Sequence, residues 1–287
     1  MNYSMLIQNR KSVREFSSKK VSAPTITEIE NYYKTNAQRL IPEIKTELFT
    51  FGKEKQEALE GSAGYKDFLV GAPQYLVLLS EDVPNAGINA GYIMEDLVLK
   101  LNDMGLGSCW VTFTDSAKTK EALGITSELE VAAVIAYGYG ERTTKRLRLN
   151  IISMSNISIS AKRHYFDPKR SISDMVFIDK WGNSEGLDEF IGFYDDMLWE
   201  AFYAATLAPS YLNRQPYGFV IHDKSVALVK CPDEFTTEID GNLGLGVVLL
   251  HFTSVASRWN STIKWNFSAP AVPELPEGHS TIAACQL

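Results

Sequence analysis

Two spacings of apolar residues divide the first half of the chain into helices and strands. Apolar positions three or four residues apart predict helices at Thr25–Leu40, Ile88–Met104 and Ala117–Leu123. Short apolar runs predict buried strands at Tyr75–Leu79 and Val131–Tyr137, and extended chain at Ser108–Phe113. Lys45–Lys66 is polar and mixed, and it is predicted to be partly helical and then a loop. The first half is therefore predicted to be an α+β unit of strand, long helix, strand, helix and strand.

The second half repeats this order after a polar connection from Asn150 to Asp174. Helical spacing recurs at Leu187–Leu207 and Asn242–Ala256. Apolar runs predict strands at Gly218–His222, Ser225–Lys230 and Thr281–Ala284. Lys169–Phe177 also looks like a degenerate copy of Arg10–Phe16 in which the second arginine is lost. The shared order predicts two tandem copies of one domain, residues 1–160 and 161–287.

Composition places the chain among ordinary globular proteins. A length of 287 residues fits one large or two moderate domains, and 45% hydrophobic residues can fill a sizeable core. The net charge of −7 argues against nucleic acid as the main partner, because phosphate neutralisation needs a dominant basic face. The longest apolar run, Val131–Tyr137, is too short to span a bilayer, and the N-terminus lacks a signal-peptide pattern. We expect a cytoplasmic protein that binds neither nucleic acid nor membrane.

The cysteines and histidines predict no metal site. They are scattered along the chain at Cys109, Cys231, Cys285, His164, His222, His251 and His279. Such spacing fits neither a zinc site nor a disulfide framework, and it favours a reducing compartment.

Three polar residues near the N-terminus form a candidate phosphate-binding group. In extended chain, the alternate positions Arg10, Ser12 and Arg14 project to the same side. Two guanidinium groups and a hydroxyl suit a phosphate, because arginine offers a planar, permanently charged set of donors. The plainer interpretation is a solvated N-terminal arm, since short basic motifs are common.

Ala208–Phe219 contains the most specific motif in the chain, Ala-Pro-Ser-x-x-Asn-x-Gln-Pro-aromatic-x-Phe. Pro209 is expected to end the preceding helix, because proline lacks an amide donor and clashes with the turn before it. Ser210 and Asn213 are short polar residues that suit a turn and can hydrogen-bond a ligand. The plainer interpretation is a helix-ending turn with no ligand.

Together these motifs resemble the N-terminal signature of the FMN-dependent nitroreductase family. Arg10–Phe16 is similar to one end of that signature and Ala208–Phe219 to the other, but here the two ends lie in opposite halves of the chain. The resemblance implies two fused, partly degenerate repeats. It implies a nitroreductase-like α+β fold with mixed, mainly antiparallel sheets flanked by helices, in which the repeats pair as an intrachain pseudo-dimer.

The resemblance also gives a role to a second basic cluster, Arg142–Arg148. In the family, a Lys/Arg pair that follows the last core strand and a Gly-Tyr meets the flavin phosphate. Either Lys145 and Arg146, or Arg146 and Arg148, would join the N-terminal arginines around the FMN phosphate, and the sequence leaves the register open. A solvated face is the plainer interpretation of such a charge run.

Further residues are implied to contact the flavin ring. Gly105–Phe113 is similar to the family segment that crosses one face of the isoalloxazine, where a backbone N–H donates to flavin N5. Thr112 and Phe113 are the local equivalents, although Trp110 and Phe113 are equally well interpreted as core aromatics. The turn in the other repeat would contact the flavin through Pro209, Ser210, Asn213 and Gln215.

The chain departs from the family pattern in two respects, and the second leaves one complete site per chain. The asparagine that usually meets the pyrimidine edge of the flavin is missing, and its region offers only Ser62, Tyr65 or Lys66. The first half has Asn36–Leu40 in place of the polar turn, and the second half lacks a convincing phosphate-binding pair.

The implied function is flavin-mediated two-electron reduction. NAD(P)H would pass hydride to FMN, and a nitroaromatic, quinone or similar small molecule would then accept it. No catalytic side chain is required, because the cofactor carries the chemistry. The chain would complete its site as a monomer, and further self-association stays possible. Two alternatives are a non-catalytic flavin-binding or sensing protein and a degenerate relative that binds no flavin.

Overall fold

The structure is a computed structural model that describes residues 1–64, 69–141, 146–153, 156–162, 169–187, 189 and 196–287. For residues 146–153, 156–162 and 196–197 it describes the backbone alone. The helices in these ranges are α1 Tyr3–Asn9, α2 Ala23–Thr35, α3 Gln56–Leu59, α4 Ala86–Asp103, α5 Ser116–Leu123, α6 Asp196–Thr206 and α7 Glu238–Ala256. The strands are β1 Thr46–Gly52, β2 Gln74–Ser80, β3 Gly107–Val111, β4 Glu130–Gly138, β5 Arg146–Ser153, β6 Asn156–Lys162, β7 Val176–Ile178, β8 Tyr217–His222, β9 Ser225–Lys230 and β10 Ser280–Gln286.

The strands form two four-stranded sheets and one hairpin. The first sheet has the order β1-β2-β4-β3, and all its neighbours are antiparallel. The second sheet has the order β10-β9-β8-β7, with antiparallel pairs except for the parallel β7–β8 pair. β5 and β6 form a separate antiparallel hairpin. The predicted α+β class with mixed, mainly antiparallel sheets is confirmed.

The centre of the molecule is the contact between α4 and α7, which lie between the two sheets. One set of α4 side chains packs with the first sheet and includes Ile93, Leu97 and Leu101. Another set packs with the second half and includes Ile88, Tyr92 and Leu99. α7 is long and apolar enough to cross a membrane, but 89% of that apolar window is buried inside the fold. Burial on all sides explains why both helices are apolar around most of their circumference.

The two halves share an order of elements. In the first half, α2 is followed by β1, β2, α4 and β4; in the second half, α6 is followed by β8, β9, α7 and β10. β10 pairs with β9 as β4 pairs with β2, both antiparallel. The equivalent of β3 is reduced to a single antiparallel bridge between Asn266 and Ala284. This correspondence agrees with two fused repeats at 1–160 and 161–287, which stay a prediction.

Two segments contain strands that the sequence did not predict, because these short strands lie within polar sequence. Lys45–Lys66 contains strand β1, whose residues are mostly half-buried at the edge of the first sheet. The expected connection Asn150–Asp174 contains most of the β5–β6 hairpin. Its signal is the alternation of Leu147, Leu149 and Ile151, a period of two that indicates a strand.

The first long helix also ends earlier than its apolar spacing predicts. α2 ends at Thr35 and not at Leu40, although its start agrees with the cap, where the Ser22 side chain accepts a hydrogen bond from the amide of Thr25. Side chains of α4 capture the backbone amides beyond the helix. Asp96 accepts from the Gln38 amide at 2.9 Å, and Asn89 accepts from the Ile41 amide at 2.9 Å. The chain leaves the helix because these tertiary hydrogen bonds replace helical ones.

Candidate functional site

A cavity of about 310 Å³ lies between the two halves of the chain. The first half contributes the N-terminal segment and the end of β3; the second contributes the Pro209–Leu212 turn and the first half of α7. The lining residues are Ser12, Arg14, Gly64, Val70, Cys109, Trp110, Val111, Thr112, Pro209, Ser210, Tyr211, Leu212, Asp240, Leu243, Gly244 and Val247. Five of the predicted cofactor-binding residues therefore meet at one place: Ser12, Arg14, Thr112, Pro209 and Ser210.

Backbone contacts with β3 hold the N-terminal segment at the cavity. The amide of Val13 donates to the carbonyl of Ser108 at 2.8 Å, and Ser12 pairs with Ser108 in a parallel bridge. Gly107 permits this approach, because a Cβ there would collide with the side chain of Val13. Among the described residues, the exposed Arg14 guanidinium has no hydrogen bond or ion pair. Its donors are available to a ligand.

Arg10 points to a different place from Arg14. Its side chain is 9% exposed, and its Nε lies 3.5 Å from Oε1 of the fully buried Glu95. Arg10 does not line the cavity. The structure thus separates the two arginines that the sequence placed in one phosphate-binding group.

Glu95 is the centre of a buried network that joins the two halves behind the cavity wall. The indole Nε1 of Trp110 donates to Glu95 Oε2 at 3.0 Å, and His251 Nε2 on α7 lies 3.0 Å from Oε1. Burial acts to raise the pKa of Glu95, but His251, Arg10 and Trp110 lower it by more, so its pKa lies below the ordinary range. Trp110 lines the cavity, so this carboxylate fixes the position of one side chain of the cavity wall.

The His251 ring links Glu95 to α6. Its Nδ1 lies 3.0 Å from the carbonyl oxygen of Ala204, which can only accept a hydrogen bond, so Nδ1 donates this one.

The Pro209–Gln215 turn is held by its own polar side chains. Ser210 Oγ accepts from the Gln215 amide at 2.9 Å. The Gln215 side chain is buried, donates to the Thr206 carbonyl at 2.7 Å and accepts from the Arg170 amide at 3.1 Å. Gln215 therefore supports the turn from behind and does not line the cavity.

The backbone of this turn is strained at three residues, of which Leu212 lines the cavity. Leu212, Asn213 and Gln215 have φ values of 48°, 58° and 48°, which lie in the left-handed region that favours glycine. Asn213 also accepts a hydrogen bond from the side chain of Lys169. Such strain persists only where surrounding contacts fix the chain, and it is common at binding sites.

Thr112 and Asp240 meet across the two halves at the cavity. Thr112 Oγ1 lies 2.9 Å from both carboxylate oxygens of Asp240, and Thr237 Oγ1 donates to Oδ2 at 2.7 Å. Burial raises the pKa of Asp240, while the hydrogen bonds from Thr237 and Thr112 oppose that rise. Phe113, by contrast, is 2% exposed and packs in the core beneath the first sheet.

The second predicted phosphate cluster is described in part. Lys145 lies outside the described residues, as do Tyr65 and Lys66. Arg146 and Arg148 lie in β5, and only their backbone is described.

Sequence reasoning missed the contribution of α7 to the cavity wall. Asp240, Leu243, Gly244 and Val247 all line it. A weak signal was present, because Thr237 and Asp240 stand three positions apart at the helix start. There the Thr237 side chain accepts from the amide of Asp240 at 3.1 Å, which moves the helix start ahead of the predicted Asn242. The described residues contain no cluster of three or more histidine, cysteine or acidic side chains that could hold a metal.

The fold and the cavity between its halves define a protein of the nitroreductase fold. The family model described as "Putative TM nitroreductase" matches residues 2–256, and the chain belongs to this family. The chain is similar to a crystal structure of a putative nitroreductase from Thermotoga maritima, at 19% identity and a TM-score of 0.57. The match covers 100% of this chain and 94% of the Thermotoga chain. A nitroreductase family protein from Clostridium novyi covers 49% of this chain and 86% of its own, at 21% identity and a TM-score of 0.43. An FMN-dependent nitroreductase from Clostridium difficile covers 48% and 88%, at 18% identity and a TM-score of 0.40. No curated protein matches the sequence.

Proposed function

We propose that this chain is an FMN-dependent oxidoreductase that passes hydride from NAD(P)H to a nitroaromatic, quinone or similar acceptor. The observation that supports this function best is the cavity between the halves, where Ser12 and Arg14 meet Thr112 and the Pro209–Leu212 turn. Family membership points to the same chemistry. A cavity of about 310 Å³ lies near the lower end of ligand pockets, at roughly 300 Å³.

The residues at the cavity fit the two chemically different parts of FMN. Its phosphate requires cationic and hydroxyl donors, which Arg14 and Ser12 offer without a competing partner among the described residues. Its ring requires apolar walls, which Trp110, Leu243 and Val247 provide. When bound, FMN would supply the two-electron chemistry itself.

The chain's own residues would bind and orient this cofactor. Arg14 would pair with the phosphate, and the Ser12 hydroxyl would donate a hydrogen bond to a phosphate oxygen. The backbone of Thr112 and Phe113 would face the ring edge, while Pro209 and Ser210 close the site from the second half. Trp110, fixed by its hydrogen bond to Glu95, would exclude water from one side. Arg10, Lys145, Arg146, Arg148, Asn213 and Gln215 stay proposed cofactor-site residues, and Arg10 and Gln215 would act by supporting the site from behind.

Because both sides of the cavity belong to one chain, we propose that the protein completes its site as a monomer. The turn is tethered to the first half, so its effective concentration does not depend on dilution. The proposed function has two alternatives. One is a flavin-binding protein that does not catalyse a reaction, and the other is a relative that binds no flavin.

The purified protein should be yellow, with about one FMN per chain, and NADH or NADPH should bleach the flavin band under anaerobic conditions. Flavin extraction gives the stoichiometry, and sedimentation at low protein concentration gives the size of the species that holds it. Flavin that NAD(P)H cannot reduce would indicate the non-catalytic alternative. Absence of flavin after reconstitution with FMN would contradict the proposal, and two equivalents per chain would contradict the single divided site.

Arg14→Ala should weaken FMN binding by one to two decades while leaving the fold intact. A charge-assisted hydrogen bond contributes about 1.5–3 kcal/mol, and Arg14 has no partner among the described residues that its loss would leave unpaired. Fluorescence titration of the apoprotein measures the change. Lys264→Ala, which removes an exposed positive charge outside the cavity lining, is the control. Equal affinity of the Arg14 and control variants would support the solvated-arm interpretation.

A further inference from the structure

Through their mutual contact, the Thr112 and Asp240 side chains present hydrogen-bond acceptors, and no donor, to one part of the cavity. Thr112 has a single hydroxyl proton, and it is directed to the carboxylate of Asp240. The Thr237 hydroxyl also donates to this carboxylate, so its proton is used as well. A carboxylate that accepts from both hydroxyls, and a hydroxyl whose proton is engaged in a hydrogen bond, can accept further hydrogen bonds but cannot donate them. We name Thr112 and Asp240 the acceptor corner.

The acceptor corner and the N-terminal segment also differ in charge, because the first contains Asp240 and the second Arg14. Asp240 and Arg14 both line the cavity, but no ion pair joins them among the described residues. The cavity therefore presents a cation and an anion to its ligands separately. A phosphate is attracted to Arg14 and repelled by Asp240, which directs the phosphate of a bound cofactor away from the acceptor corner.

The acceptor corner is accessible to solvent. Asp240 is partly exposed at the first turn of α7, and Leu212, which lines the same cavity, is 51% exposed. An anion that enters here approaches a half-buried carboxylate, and like-charge contacts of this kind are unfavourable. An N–H donor finds carboxylate and hydroxyl oxygens that can accept a further hydrogen bond.

We propose that Asp240 determines the specificity for the electron acceptor, selecting small aromatic compounds that carry an uncharged N–H donor and rejecting those that carry a carboxylate. This inference rests on the proposed function. Thr112 positions the carboxylate from the opposite half, so the selection depends on the contact between the two halves.

A matched pair of nitroaromatics tests this selection. 4-Nitrobenzamide and 4-nitrobenzoate have the same size and differ in donor and charge. The holoprotein should bind and reduce the amide at least tenfold better than the acid, a difference of about 1.4 kcal/mol or more. Kd is measured from the perturbation of the oxidised flavin spectrum, and kcat/KM under anaerobic conditions.

The variant Asp240→Asn should reduce this preference to about threefold or less. Asparagine keeps the shape of the side chain and an oxygen that accepts from Thr112 and Thr237, but it removes the charge and adds a donor. Asp82→Asn, which removes an exposed negative charge outside the cavity lining, should keep the wild-type preference.

The possible failures are distinguishable. A protein that never binds flavin contradicts the proposed function. Bound flavin with equal preference for the two nitroaromatics, or a preference that Asp240→Asn leaves unchanged, overturns the inference about Asp240. Loss of FMN affinity in Asp240→Asn also overturns it, because the corner would then recognise the cofactor and not the acceptor.

Discussion

Glu95→Ala should lower the free energy of unfolding by about 3–5 kcal/mol, since removing one partner of a buried ion pair leaves an uncompensated charge. Glu95 is fully buried and lies beside the buried guanidinium of Arg10, which stays charged at any accessible pH. The variant also leaves the indole N–H of Trp110 without its acceptor. Urea denaturation followed by circular dichroism measures the loss.

Two companion variants identify the cause of that loss. Glu28→Ala removes a glutamate from an exposed ion pair with Lys100 and should cost about 1 kcal/mol or less. Glu95→Gln keeps hydrogen-bonding oxygen and shape, so it should be less destabilising than Glu95→Ala. If Glu95→Ala costs no more than Glu28→Ala, the buried network does not stabilise the contact between the halves.

The pH dependence of the same network has a definite sign. The pKa of Glu95 is lowered in the folded chain. Its contribution to stability is therefore fully present above the ordinary pKa of a glutamate and is lost as the pH falls through the lowered value. Glu95→Ala should show a smaller loss of stability on acidification than the wild type.

The sequence predicted those elements whose signal is local. β2 and β4 are buried on both faces, and their uninterrupted apolar runs agree with the predicted strands to within two residues at each end. β1 was missed because it is a half-buried edge strand. It is held by backbone pairing with β2, which its own sequence does not reveal. The early end of α2 likewise depends on Asp96 and Asn89, which lie far along the chain.

The candidate site shows the same limit. Arg10 and Arg14 belong to the same local pattern, yet Arg14 reaches the cavity and Arg10 pairs with Glu95. Nothing near Arg10 in the sequence indicates that partner. Asp240 belongs to a helix start that is ordinary in sequence, and it becomes a cavity residue only because α7 packs across the chain from Thr112.

α4 and α7 pack so closely that a single added methyl group at Gly246 is expected to destabilise the protein. A Cβ at Gly246 would overlap the backbone of α4, at the carbonyl of Ile88 and the amide of Tyr92. Backbone atoms cannot rotate aside, so a methyl group there forces the helices apart. Gly91 faces the carbonyl of Leu243 in the same way, so the glycines of both helices make the approach possible.

Gly246→Ala should therefore destabilise the protein by about 3 kcal/mol, at the upper end of the usual cost of overpacking a core. Gly244→Ala is a closely matched control, because Gly244 lies two residues earlier in α7 and a Cβ there meets no atom within 4 Å. That control should be neutral or stabilising by up to about 1 kcal/mol, since alanine favours a helix more than glycine does. Urea denaturation of both variants gives the comparison. Equal stability of the two would mean that α4 and α7 do not need this close approach, and that the two halves tolerate a wider separation around the cavity they share.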